Sequence, residues 1–595
     1  MKKYTIYSLF TLLFLILSIG TAIAQNRFYI DLNNRKEDVF HITLIPERLT
    51  EENKVFQFAA TAPGTYEIMD IGRFVRSFKA FDKNGNELLS KQISTNQWEL
   101  GEPVKTAKIE YTMADIVDTP VKEHRIYPMC ATSFEDDHAL INGHCVFGYF
   151  HGMQKTPIKI KLDFPSGWII GTALDKDTDG FYSARDFDHV VDSPIELGNL
   201  TKASTVVENM TVNVYAYSES GKIKADDLMA IVKDIFPATY AFAQGLPAKR
   251  YDFLFLFEGS SPSGGAWEHN LSSAYAMRDI QQITPAFKMQ TRSIAAHEFY
   301  HIITPLNIHS ELIGTFNFEK PVMSQHLWFY EGVTEWAAQM LQLRGRIVSL
   351  EDYLEDLGRK LTTNDSYDPK LSLVELGIRA CELPDQYPNI YAKGAVVGTL
   401  LDIDLLSLTN GTKGLREVIN QLYKDYGVNK SFSEKNFFEE FVARTHPGIK
   451  DFLDRYIKNA EKLPVKEYFE KLGIDYREIA GYDSTRVNPG AQMTMQNDKF
   501  VIIGVDERAK DNLKPGDVML KINGEELSMK NIQAKIAETR RLKAGESFNL
   551  TVEREGKQVE VKAVMYPVRI MHRFNLLPNP TPEQMALRNV WLKNL

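Results

Sequence analysis

A chain of 595 residues is long enough for about three or four domains. With 44% hydrophobic and 25% charged residues it has the make-up of an ordinary globular protein, which excludes a disordered or collagen-like chain. Its 69 Lys and Arg against 78 Asp and Glu give a net charge of −9, without the basic footprint of a nucleic-acid binder. Three cysteines, Cys130, Cys145 and Cys381, are too few for a disulfide scaffold or a zinc ribbon, so stability rests on apolar cores.

At the N-terminus Lys2 and Lys3 precede an apolar run over about residues 6–19, and Ala22-Ile23-Ala24 offers small residues for cleavage. This predicts a secretory signal over 1–24 and a periplasmic or secreted chain; as an uncleaved anchor the run has only marginal length. Its loss would take the charge from −9 to −11, and export would permit, without requiring, a Cys130–Cys145 disulfide. No later segment is long and apolar enough to predict stable membrane insertion.

Short alternating runs follow, such as Val39-Phe40-His41-Ile42-Thr43-Leu44 and Val55-Phe56-Gln57-Phe58, broken by turns like Asp82-Lys83-Asn84-Gly85. They predict a β-rich domain over 25–221. Beyond Lys222 the period turns helical through Leu228, Ile231, Val232 and Ile235, followed by a strongly apolar strand, Tyr251 to Phe257, and further helical patterns. This predicts a mixed sheet-and-helix domain over 222–480. Short strands and turns return over 481–568, and a C-terminal tail is expected over 569–595. The fold class is therefore multidomain α+β.

Within the middle domain the chain spells His297-Glu298-Phe299-Tyr300-His301, preceded by the helix-compatible Ser293-Ile294-Ala295-Ala296 and followed by Pro305, which should end the helix. The i, i+4 spacing puts both imidazoles on one helical face, where they can take adjacent corners of a zinc tetrahedron; the motif is a known metalloprotease signature. Glu298 then sits beside the open coordination position, where it can take a proton from a zinc-activated water and hand it to a leaving amine. A third ligand is needed, and Glu331 is the best candidate: it follows His301 after 29 residues, in a second, amphipathic helix with aromatic flanks. Glu335, one turn later on the same face, can bond the outer nitrogen of a zinc-bound histidine or remain a solvated helix charge.

A glutamate in an aromatic-Glu-Gly context after this motif resembles the gluzincin metallopeptidases, and the long spacer is similar to that of the glycyl aminopeptidase family. That resemblance implies a thermolysin-like catalytic domain with one zinc per chain. Gly264-Gly265-Ala266-Trp267-Glu268-His269-Asn270 is similar to the family's exopeptidase segment, which implies that Glu268 binds the substrate's free amine, with Gly264 and Gly265 allowing close approach of its backbone. Whether His269 has a site role or a structural one stays open. Tyr391-Ala392-Lys393-Gly394 resembles the element whose tyrosine faces the tetrahedral intermediate, implying an oxyanion donor at Tyr391. The stretch from Tyr66 to Ala80 looks like the family's N-terminal β domain. Lys514-Pro515-Gly516-Asp517-Val518 and Ile522-Asn523-Gly524 look like the core of a PDZ domain, but Pro489-Gly490-Ala491-Gln492-Met493 stands where a Gly-Leu-Gly-Phe loop is usual, which leaves its ligand open.

The expectation is an exported zinc aminopeptidase acting on peptides, with small first residues such as Gly or Ala favoured by the resemblance alone. A zinc endopeptidase and an inactive PDZ-based peptide-binding protein are the alternatives. The intact motif, Glu331 and Tyr391 argue against the inactive one.

Overall fold

In Asn26–Asp31 the side chains of Phe28 and Ile30 are buried and Tyr29 is exposed, the period-two pattern of a strand with one covered face. The computed structural model describes residues 25–593 apart from 35, 260–263, 497–498 and 529–530. The expected signal over 1–24 lies outside the described residues. Asn26–Asp31 pairs in parallel with Ile158–Asp163 and antiparallel with Val39–Ile45, inside an eight-stranded sheet. Two four-stranded sheets complete the N-terminal β domain. Their shared core is rich in aromatics that meet edge to face, as Phe28 and Phe147 do with centroids 5.0 Å apart.

The middle domain begins with a five-stranded sheet, before the expected boundary at 222, because Thr201–Val207 and Met210–Ser218 pair into it and not into the N-terminal sheets. Strands β1 (Thr201–Val207), β2 (Met210–Ser218), β3 (Arg250–Glu258), β4 (Gly265–Glu268) and β5 (Ser272–Arg278) lie in the order β1-β2-β3-β5-β4. The apolar run of β3 is buried from Tyr251 to Glu258 and pairs in parallel with both β2 and β5, as expected for a strand covered on both faces. The edge strand β4 is antiparallel to β5. Three helices frame the space beside it: α1 (Pro285–Tyr300), α2 (Thr334–Arg344) and α3 (Asn389–Leu408). A π turn, Trp328–Val333, runs directly into α2.

The sequence predicts an amphipathic helix around Glu331, and the structure corrects this: every residue of α2 except Glu335 is buried. It lies against α1, α3 and the helix Ile235–Ala243, so it has no solvent face to make polar. Both Cys130 and Cys145 are buried free thiols, and the Cys145 thiol donates to the Cys130 carbonyl at 3.2 Å.

The chain divides into two compact units. One holds the N-terminal β domain and the mixed α/β domain, together with residues from 586 onward. Trp591, near its end, is fully buried and accepts a hydrogen bond from Arg344 Nε at its carbonyl, 3.0 Å. The second unit, residues 354–362 and 464–585, contains the PDZ-like sheet built from Ala491–Gln496, Lys499–Val505, Val518–Ile522, Ser547–Arg554 and Lys557–Val564, with the helix Ile532–Thr539. A long antiparallel pair, Ile474–Asn488 with Tyr566–Leu576, also belongs to it, so the first part of the expected tail is a paired strand. Among the described residues no helix is long and apolar enough to cross a membrane.

Candidate metal centre and active site

Helix α1 starts at Thr284, whose Oγ1 accepts from the Phe287 amide at 3.1 Å, and carries Pro285 in its first turn, where a missing N–H costs nothing. Its last turns, Ala295 to Tyr300, are buried, and the helix ends at His301 ahead of Pro305. The spacing of His297 and His301 brings their rings to 4.7 Å, nearly perpendicular at 83°.

Each histidine has its outer nitrogen committed. His297 Nδ1 lies 2.7 Å from Glu335 Oε2, and His301 Nδ1 lies 2.8 Å from the Thr304 carbonyl oxygen, so each Nδ1 donates outward and each Nε2 faces inward. Between those two nitrogens stands Glu331, whose Oε2 is 3.4 Å from His297 Nε2 and 3.5 Å from His301 Nε2. The three donor atoms lie within 4.8 Å of one another, all buried, with two nitrogens and one carboxylate oxygen, a set that fits zinc with one position left open.

Burial holds His301 down to about 4, whereas at His297 the opposing effect of Glu331 and Glu335 outweighs burial and raises it well above its ordinary value. Burial, with Glu331 and Glu335 nearby, pushes Glu298 up to about 8 despite His297. A bound dication reverses this logic and favours the ionised carboxylate.

A cavity of about 330 Å³ opens onto these residues. Glu268, on β4, lines it beside Glu298 and Tyr391, and its carboxyl is raised well above the ordinary range by burial and by Glu331 and Glu298. Part of its wall comes from the N-terminal β domain, through Gly64, Thr65, Tyr127, Met129 and Cys130. Gly64, with φ +76°, approaches so closely that a Cβ there would sit 2.5 Å from Glu268 Oε1. The Trp267 indole donates to the Pro63 carbonyl at 3.1 Å, tying β4 to the same turn. Met129 Sδ fills the space beside Gly265, 2.6 Å from where a Cβ would be, while Gly264 meets nothing nearer than 3.9 Å. What the absent side chain of Gly265 makes room for is therefore Met129.

Tyr391 lines the cavity with its ring 5.6 Å from that of His297, and its hydroxyl lies 2.8 Å from the Tyr387 hydroxyl. Lys393 points elsewhere, donating to the Leu371 carbonyl at 3.0 Å. His269 is buried against Trp267, centroids 4.4 Å apart, with Nδ1 3.6 Å from Asp192. Sequence reasoning did not single out Tyr387, Tyr127, Met129 or Gly64 for the site, nor the hydroxyl of Tyr66, which donates to Glu331 Oε1 at 3.3 Å. The Pro63-Gly64 turn was the available signal for the last two.

Family models match three segments: a Peptidase M61 N-terminal domain over 27–199, an M61 glycyl aminopeptidase domain over 290–397 and a PDZ domain over 489–564. Among solved structures, an aminopeptidase N family protein from Idiomarina loihiensis shares the fold over 95% of this chain and 100% of its own, with a TM-score of 0.77 at 20% identity. An M1 zinc metallopeptidase from Deinococcus radiodurans, bound to a Tyr-Ser-Ala substrate, aligns over 74% of this chain and 95% of its own, with a TM-score of 0.46 at 11% identity. No curated protein sequence matches the chain.

Proposed function

We propose, from the premise that the chain carries the N-terminal and catalytic domains of the M61 glycyl aminopeptidase family followed by a PDZ domain and is a zinc-dependent aminopeptidase, the following division of labour among its residues. His297, His301 and Glu331 hold one zinc ion per chain. Zinc there supplies a Lewis acid that polarises the scissile carbonyl and acidifies the attacking water. Glu298 takes the water's proton and delivers it to the leaving amine. The Tyr391 hydroxyl, held by its bond to Tyr387, donates to the oxyanion as charge develops. Glu335 fixes the tautomer and ring orientation of His297.

The observation that carries the exopeptidase reading is Glu268. It is a half-buried carboxyl in the wall of the cavity, among other acids, and the ammonium of a peptide's first residue is the cation that would satisfy it. Gly64 stands against it, so a chain continuing past that point would meet the N-terminal domain. This supports cleavage of the first residue rather than endopeptidase action. A preference for small first residues such as Gly or Ala follows from the family resemblance, and Met129 and Tyr127 are among the side chains of the same cavity that would set it.

Export to the periplasm or beyond rests on the sequence of residues 1–24. The PDZ domain has its own apolar cavity of about 130 Å³, lined by Met493, Ile502, Ile536 and Phe548 among others, able to take a peptide side chain. The test is hydrolysis of aminoacyl reporters and their N-acetylated counterparts by the zinc-loaded enzyme and by Glu298→Gln. Free-amine substrates should be cleaved and acetylated ones resist. Equal turnover of both would overturn the aminopeptidase assignment, and undiminished activity in Glu298→Gln would overturn the mechanism.

A further inference from the structure

We propose that the N-terminal β domain completes the metal centre through Tyr66, which acts as a positioning residue for Glu331. The inference rests on the reading of Glu331 as a ligand. Glu331 presents Oε2 to both histidine Nε2 atoms, while its other oxygen, Oε1, receives the Tyr66 hydroxyl at 3.3 Å. A carboxylate with one oxygen held in this way offers the other to the metal in a fixed direction. Without the hydroxyl, Oε1 is free to turn toward the metal as well, into the position that water needs.

Tyr66 is held for this task from several sides. Its backbone adopts φ +51°, a left-handed conformation rare for an aromatic residue, at the end of the Pro63-Gly64-Thr65 turn. The Cys381 thiol donates to its carbonyl at 2.7 Å, and its ring lies against Tyr387 with centroids 5.7 Å apart. The turn is anchored on the catalytic side by the Trp267 indole, which donates to Pro63 O, and the segment leading into it by Ala60 N, which donates to the Phe318 carbonyl at 2.7 Å. A residue some 265 positions upstream of Glu331 is thereby delivered to it. Removing the β domain would thus remove part of the metal site as well as a wall of the cavity.

The experiment compares metal-free wild type, Tyr66→Phe and Glu331→Gln, each titrated with zinc against a chromophoric chelator, and records the visible spectrum of the cobalt-substituted forms. Tyr66→Phe should bind zinc about ten- to a hundredfold more weakly, the usual cost of losing such a partner, and should shift the cobalt bands. Its metal-free melting temperature should match wild type, since the ring and backbone remain. Wild-type zinc affinity in Tyr66→Phe, with or without lower turnover, would overturn the proposal, as would a lower metal-free melting temperature or failure to fold, which would assign Tyr66 a structural role. Wild-type affinity in Glu331→Gln would instead overturn the ligand assignment on which it rests.

Discussion

Gly332 and Gly394 pack backbone against backbone: a Cβ on Gly332 would lie 2.7 Å from the Gly394 Cα, and one on Gly394 2.5 Å from the Gly332 Cα. The first glycine follows the candidate ligand Glu331 and the second lies one helical turn after Tyr391, so the contact sets the distance between the π turn and α3. Gly394→Ala forces the two backbones apart. It should cost about 1–3 kcal/mol of stability and, by displacing Tyr391 relative to Glu331 on the order of 1 Å, lower kcat/KM about a hundredfold. Melting curves with steady-state kinetics would check both; unchanged kcat/KM in a folded variant would mean that the spacing does not matter.

The amine end of the cavity gives a second prediction. Glu268→Gln removes the charge but keeps the shape, so the loss should fall on free-amine substrates, at about 1.5–3 kcal/mol or about ten- to a hundredfold in kcat/KM. Gly64→Ala should reproduce the effect indirectly, because its Cβ would collide with Glu268 Oε1 and its φ of +76° disfavours any side chain. Equal kcat/KM for wild type and Glu268→Gln on an alanyl reporter would remove Glu268 from substrate binding.

What the sequence could disclose follows from how local each relationship is. His297 and His301 share a helix, so their spacing puts both imidazoles on one face, whereas Glu331 and Glu335 come from a second segment and meet them only through the packing of α1 against α2, into which the π turn runs. The burial of α2 on all sides was not legible, because it depends on α1, α3 and a preceding helix packing round it. Gly64 and Met129 reach the cavity, and Tyr66 reaches Glu331, from the N-terminal domain, and no periodicity within either domain encodes those contacts. Their local signature is conformational, a Pro-Gly turn carrying a left-handed tyrosine, and points to a special backbone without saying what it faces.

Away from the cavity, Asp115 makes the stability of the N-terminal domain depend on pH. Its carboxylate accepts from the Phe134 amide at 2.6 Å and the Asp118 amide at 3.2 Å, yet burial prevails and pushes it up to about 7, with Asp38 and Asp118 adding to the rise. The folded value thus exceeds the unfolded one of about 3.9, and folding takes up a proton between them. The stabilising contribution is complete below about 4 and lost as pH rises through about 7. Melting temperature between pH 5 and 8 should therefore fall less steeply with pH in Asp115→Asn than in wild type. Parallel curves would show that Asp115 does not titrate in this window.

Zinc binding should appear as stability, because the three donors converge only in the folded chain. A ligand that binds the folded state alone adds about 2.7 kcal/mol at a free concentration a hundred times its Kd. Adding zinc to chelator-stripped protein should raise the melting temperature progressively with concentration, and His297→Ala should abolish the rise. The three donors all belong to the first compact unit, and the second contains none of them. If calorimetry resolves two transitions, only the one assigned to the first unit should move with zinc. A zinc-dependent shift that persists in His297→Ala would place the stabilising ion at some other site.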